Sequence, residues 1–101
     1  MPPRIDPKLK KANQAAYRRK KMQQNRAVVY ALKEASPCLD CGKKYPHYVM
    51  HYDHLRDKMG DLAHMVQRES LTRILAEIEK CELVCANCHA IRTHVRRIKK
   101  V

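Results

Sequence analysis

The chain has 101 residues with no Trp, no Phe and five Tyr, so a large aromatic core is excluded and a cross-link becomes the expected source of stability. A formal charge of +12, from 22 Lys and Arg against 10 Asp and Glu, points to an acidic partner, and no apolar run has the length of a membrane span or the make-up of a signal peptide. Five cysteines, an odd number, suit a reducing compartment better than a disulfide framework, and the expected location is cytoplasmic.

Residues 1–36 hold ten basic and two acidic residues, 37–91 seven and eight, and 92–101 five and none. A nearly neutral middle between cationic ends has the form of a compact site flanked by phosphate-binding arms, which puts nucleic acid ahead of a membrane surface or an acidic protein as partner. The expected division is a basic helical arm over 1–36 and a metal-stabilised domain over 37–101.

Pro2, Pro3 and Pro7 frame a flexible leader that ends where Asp6-Pro7 can start a helix. Beyond Pro7, no Gly or Pro interrupts a run rich in Ala, Lys, Arg, Gln and Met as far as Ala35, which predicts one long helix or two abutting ones. Val28, Ala31, Leu32 and Ala35 recur at i, i+3, i+4 and i+7, so they are the expected core-facing stripe. Arg18, Arg19, Lys20 and Lys21 fall in the exposed half and can lie along a phosphate backbone. Ser36-Pro37 stops the helix, since the residue before a proline avoids the helical region.

The run Tyr48-Val49-Met50-His51-Tyr52 is β-branched and aromatic without helical period, and predicts a strand leading into Asp53-His54. Leu62, Met65 and Val66 predict a short packed helix. Ser70 is the expected N-cap of a further one, with Leu71, Ile74, Leu75 and Ile78 at core spacing. Cys81 to Cys85 predicts a second strand, and Ala86 to about Lys99 a last helix with Ile91, Val95 and Ile98 at helical spacing. The class is α+β, mostly helical.

Cys38-x-x-Cys41 and Cys85-x-x-Cys88 supply four thiolates, the number a closed tetrahedral Zn²⁺ site needs, and the two-residue gap lets both sulfurs of each knuckle face one ion. A redox pair is the weaker reading, because a thioredoxin-like motif needs a single Cys-x-x-Cys in a βαβ setting. Cys81 is the odd cysteine, read as a buried filler, with a ligand set that includes it as the lesser alternative. Asp53, His54 and His89 suit phosphodiester hydrolysis, which needs a hard divalent ion and a base for water. An acid and a histidine can hold the ion, and the imidazole of His54 can take a proton from water near neutrality. On its own an Asp-His pair is commonplace.

Taken together, Cys38-x-x-Cys41, Tyr52-Asp53-His54, and the stretch from Lys80 through Cys85-Ala86-Asn87-Cys88-His89 to Arg92-Thr93 resemble the small zinc-containing HNH endonucleases of bacteria and phages over about residues 37–94. The resemblance implies a ββα-metal motif, with Asp53 and His89 binding a catalytic Mg²⁺ or Mn²⁺ and His54 as general base. In-line attack by water would leave a 5′ phosphate on DNA. The middle Asn of such enzymes falls here on Lys80, so His54 is oriented by Asn87, by a backbone carbonyl, or by nothing. His51 and His94 are spare histidines, and His47 and His64 are surface or packing residues.

Arg56, Lys58 and Arg92 are the expected phosphate contacts near the ion, with Arg96, Arg97, Lys99 and Lys100 extending the basic stripe. Phosphate contacts carry no sequence information, so weak base specificity is expected. Two rivals share the charge and the cysteines: a non-catalytic zinc module that binds nucleic acid, and a subunit of a larger phage or recombination complex. A homodimer would allow two cuts.

Overall fold

A computed structural model describes residues 6–99. The expected leader around Pro2 and Pro3 and the terminal Lys100 lie outside the described residues. Helix α1 (Pro7–Ala35) is a single uninterrupted element: Asp6 caps it by accepting the Lys8 N–H at 2.9 Å, and Pro7 takes the first helical position, where its missing N–H costs nothing. At Ser36 the backbone turns extended ahead of Pro37, as expected.

Which face of α1 is buried differs from the periodicity argument. Asn25 and Val29 are buried and Met22 packs beside them, whereas Ala31, Leu32 and Ala35 are exposed. The reason is a polar anchor that an apolar count cannot register. The Asn25 amide nitrogen donates to the carbonyls of Val66 at 3.2 Å and Glu69 at 3.1 Å, at the C-terminal end of α2 (Leu62–Arg68), where helix carbonyls lack partners. That bond rotates Val29 onto Val66 and Ile74. The expected boundary after residue 36 is therefore crossed by packing: the second half of α1 is part of the domain's core, and only its first half extends as an arm.

Helix α3 (Leu71–Ile78) begins at Ser70, whose hydroxyl accepts the Arg73 N–H. Ile74 is fully buried and Leu71 and Ile78 are half-buried, but Leu75 is exposed and Glu77 is the other buried residue of this helix.

Strand β1 (Met50–His54) pairs antiparallel with β2 (Cys81–Cys85), in a register that sets Met50 opposite Cys85, Asp53 opposite Glu82 and His54 opposite Cys81. The strand begins later than the expected Tyr48 and includes Asp53 and His54. Residues His47–Val49 form a 3₁₀ turn, pinned to α1 by the His47 ring stacked on Tyr30 at 3.9 Å. Helix α4 (Ala86–Lys99) follows β2 without a linker, so the order is strand, excursion through α2 and α3, strand, helix.

Two small cores result. One surrounds the cysteines, with Met50 and Val84 fully buried among Cys38, Cys85 and Cys88. The other joins α1, α2 and α3 through Val29, Val66 and Ile74, with Tyr52 reaching it from β1. The expected apolar stripe of α4 belongs to neither: Ile91, Val95 and Ile98 are exposed, because this helix is docked by Cys88 and by the ion pairs of Arg92 and Arg96 on the adjoining face. Replacing Ile74→Ala should cost about 2–5 kcal/mol in denaturant unfolding of the metal-loaded protein, whereas Ile91→Ala should stay within about 0.5 kcal/mol. Equal losses would contradict this placement of the core.

Candidate functional site

The sulfurs of Cys38, Cys41, Cys85 and Cys88 all lie within 4.8 Å of one another, and none of the five cysteines is in a disulfide. The backbone builds the first knuckle: Gly42, at φ +76°, returns the chain so that its N–H donates to Cys38 O at 2.8 Å, while the Leu39 N–H donates to Leu83 O at 2.9 Å and ties the loop to β2. The Cys85 N–H donates to Cys38 Sγ at 3.2 Å.

Burial opposes ionisation of Cys38, but backbone N–H groups of Cys41, Cys85 and Asp40 outweigh it and bring the thiol down to about 6. Cys88, hydrogen-bonded to Cys85 and buried against the other sulfurs, is pushed up to about 12. One thiolate forms readily and the next is repelled by it, so a cation is what would let all four ionise. A tetrahedral zinc with Zn–S bonds of about 2.3 Å sets its sulfurs about 3.8 Å apart, and the donor set fits such an ion. The four cysteines could hold a metal such as zinc. Cys81 is separate: its Sγ donates to Glu77 O at 3.4 Å, and burial pushes it up to about 11.

From this cluster an ionic chain leads to Asp53. Arg92 forks onto Asp40, between the first two cysteines, with Nε to Oδ2 and Nη2 to Oδ1 both at 2.7 Å. Its Nη1 donates to Asp53 Oδ2 at 2.9 Å and to Glu82 Oε1 at 3.0 Å, the two acids that face each other across β1 and β2. Arg96 closes the other side, donating to Asp53 Oδ1 at 2.9 Å and Oδ2 at 2.6 Å. Asp53 is 3% exposed. Arg96 foremost holds its carboxyl at about 2, against burial and with help from Arg92. Arg92 and Arg96, expected at phosphates, are thus engaged by carboxylates, though Arg96 is half exposed.

His89, in the first turn of α4, brings Nε2 to 3.6 Å from Asp53 Oδ1. Its Nδ1 lies 3.0 Å from Nδ1 of His51, with the rings nearly perpendicular. Burial, then His89 and Lys33, push the His51 imidazole below its ordinary value. His51, His54 and His89 line one open cavity of about 390 Å³ with Lys33, Lys58 and His64 on its walls. Lys58 is also paired with Asp61 at 2.6 Å, while Lys33 is desolvated beside the Tyr52 ring.

His54 is not held by Asn87, which is exposed at the start of α4, or by a backbone carbonyl. Its Nε2 lies 2.9 Å from Glu77 Oε2, and Lys80, in the expected Asn position, donates its Nζ to Glu77 Oε1 at 3.1 Å. Sequence reasoning missed Glu77 and Lys33. The first carried one signal, an acid between Ile74 and Ile78 on the face of α3 that turns inward. The second carried none, because its role depends on where α1 docks.

Of the other expected phosphate contacts, Arg18, Arg19, Lys20, Arg56 and Arg97 are exposed and Lys21 is half-buried. Arg18, Arg19 and Lys21 share a groove with Tyr17 and Arg68, the latter at the end of α2. No helix among the described residues is long and apolar enough to cross a membrane.

Metal analysis should find about one tightly held zinc per chain. Because the ligands must be thiolates, affinity should fall as pH falls. Chelation, or Cys38→Ser, should abolish the cooperative unfolding transition. A metal-free chain with an unchanged transition would contradict the cluster's role. No family model matches the sequence, and no curated protein or solved structure matches it either.

Proposed function

We propose that this chain is a metal-dependent endonuclease of the HNH type that hydrolyses DNA phosphodiester bonds. The observation that supports it best is the convergence of Asp53 Oδ1 and His89 Nε2 at 3.6 Å, at the point where an antiparallel strand pair runs into a helix, with His54 lining the same open cavity as His89. One carboxylate oxygen and one imidazole nitrogen at that spacing suit two adjacent ligands of a hard divalent ion. Such an ion, Mg²⁺ or Mn²⁺, would polarise the phosphate and stabilise the departing 3′ oxygen.

The chain's own residues supply the rest. His54 takes the proton from the attacking water. With an ion bound, His51 would accept from the Nδ1–H of His89 across their 3.0 Å contact, leaving the Nε2 lone pair for the metal. Asp53 is already ionised, with the guanidinium of Arg96 as its counter-charge; on substrate binding the half-exposed Arg96 exchanges the carboxylate for a phosphate oxygen. Lys33 and Lys58 on the cavity wall attract the phosphodiester, and the exposed first half of α1, carrying Arg18, Arg19 and Lys20, lies along the flanking backbone.

A second reading, a non-catalytic zinc module that binds nucleic acid, draws on the same Asp53, whose double arginine pairing would then be a permanent structural latch. The two readings separate on supercoiled plasmid incubated with the zinc-loaded protein and Mg²⁺ or Mn²⁺. The nuclease reading expects nicked or linear product, none in EDTA, and a loss of roughly 10²–10⁴-fold in His54→Ala with zinc content unchanged. Cleavage that survives in His54→Ala would overturn its assignment as base, and no cleavage by wild type would leave the binding module. Duplex affinity should fall steeply with salt, and the slope should become shallower when Arg18, Arg19 and Lys20 are replaced by Gln. An unchanged slope would remove the arm from the interface.

A further inference from the structure

Glu77 is 2% exposed, and a buried carboxylate survives only where its lone pairs are satisfied. Here they are. The Met59 N–H donates to Oε2 at 3.0 Å and the Lys80 ammonium to Oε1 at 3.1 Å, and Lys80 is itself fixed by donating to Asp57 O at 2.9 Å. The remaining partner of Oε2 is His54 Nε2 at 2.9 Å.

Donor and acceptor accounting fixes that last bond. An ionised carboxylate only accepts, and the Met59 N–H and the Lys80 ammonium only donate. Burial opposes ionisation of Glu77, yet these donors outweigh it and keep the carboxyl below its ordinary value. Nε2 of His54 must then carry the hydrogen, and in the neutral ring the lone pair falls on Nδ1. The segment from Leu55 to Gly60 is clamped around the same acid: the Leu55 N–H donates to Lys80 O at 2.9 Å, and Lys58 reaches Asp61. His54 is therefore gripped from α3, an element that contributes no other group to the ring.

We propose that Glu77 is a positioning residue: its buried carboxylate locks His54 in the Nε2–H tautomer and aims Nδ1 at the water to be deprotonated. Glu77 thus does the work for which Asn87, a backbone carbonyl or no group at all were the alternatives in the sequence, and Lys80 secures Glu77 rather than the imidazole. The catalytic consequence rests on the nuclease reading given above, but the tautomer does not.

The test is a long-range proton–nitrogen correlation spectrum of the zinc-loaded full chain, labelled with ¹⁵N-histidine and recorded where the imidazoles are neutral. His54 should show a pyrrole-like Nε2 and a pyridine-like Nδ1 in wild type. The pattern should average toward mixed tautomers in Glu77→Leu and shift partway in Glu77→Gln, which keeps the volume but loses the charge. Plasmid cleavage by Glu77→Leu should lose on the order of 10²-fold in kcat with KM little changed, and Glu77→Asp should recover part of it.

An Nδ1–H tautomer in wild type would overturn the proposal without recourse to any variant. So would a His54 pattern and kcat that are unchanged in a folded, zinc-loaded Glu77→Leu or Glu77→Gln. A tautomer that shifts with Glu77 in a chain that cleaves no DNA would uphold the positioning contact and overturn the nuclease reading instead.

Discussion

Four sulfurs within 4.8 Å of one another repel as thiolates, and a cation removes that repulsion. In a chain with two cores of a few buried side chains each, a metal held there would be the cross-link on which the other contacts depend. The cysteine cluster fastens the loop after α1 to the junction of β2 and α4, and so fixes where the first turn of α4 begins. His89 is the next residue after Cys88, so its distance to Asp53 is a consequence of the cluster. Arg92 extends the same constraint, since one guanidinium ties Asp40 of the first knuckle to Asp53 and Glu82 on the two strands. The cysteine site and the Asp53 site are mechanically one object.

A second polar centre mirrors it on the far side of β1. There Glu77 from α3 gathers His54, Lys80 and the Met59 N–H. The adjacent residues Asp53 and His54 are thus held from opposite directions, one by α4 through arginines and one by α3 through a carboxylate. Under the proposed function, the pairing would suit a division of labour between an anionic carboxylate and an imidazole whose lone pair has a fixed direction. It also explains the long excursion between the strands, because α2 and α3 provide both the Glu77 clamp and the surface on which α1 docks.

The cysteine cluster and, among the described residues, both strands and the helices α1 to α4 could be read from spacing and punctuation: two Cys-x-x-Cys pairs, Asp6-Pro7, Ser36-Pro37, and the Ser70 cap. These signals are local, and local chemistry enforces them. What could not be read was which side of α1 and of α4 turns inward, whereas α2 and α3 bury the stripes their spacing indicates, Leu75 aside. On α1 the choice is made by Asn25 reaching carbonyls 41 and 44 residues away. On α4 it is made by Arg92 and Arg96, which leave Ile91 and Ile98 outside. In each case a polar group with a distant partner overrode the apolar count, and the distant partner is what a periodicity cannot contain. The orientation of His54 failed to be legible for the same reason.

The most direct measurement is a Mn²⁺ titration of the zinc-loaded protein followed by electron paramagnetic resonance, in wild type, Asp53→Asn and His89→Ala, with a short DNA duplex present. The account predicts one Mn²⁺ site per chain besides the zinc, weakened strongly by either substitution while the zinc content stays constant. No Mn²⁺ site, or one indifferent to both substitutions, would contradict it and leave Asp53 as a latch for arginines alone.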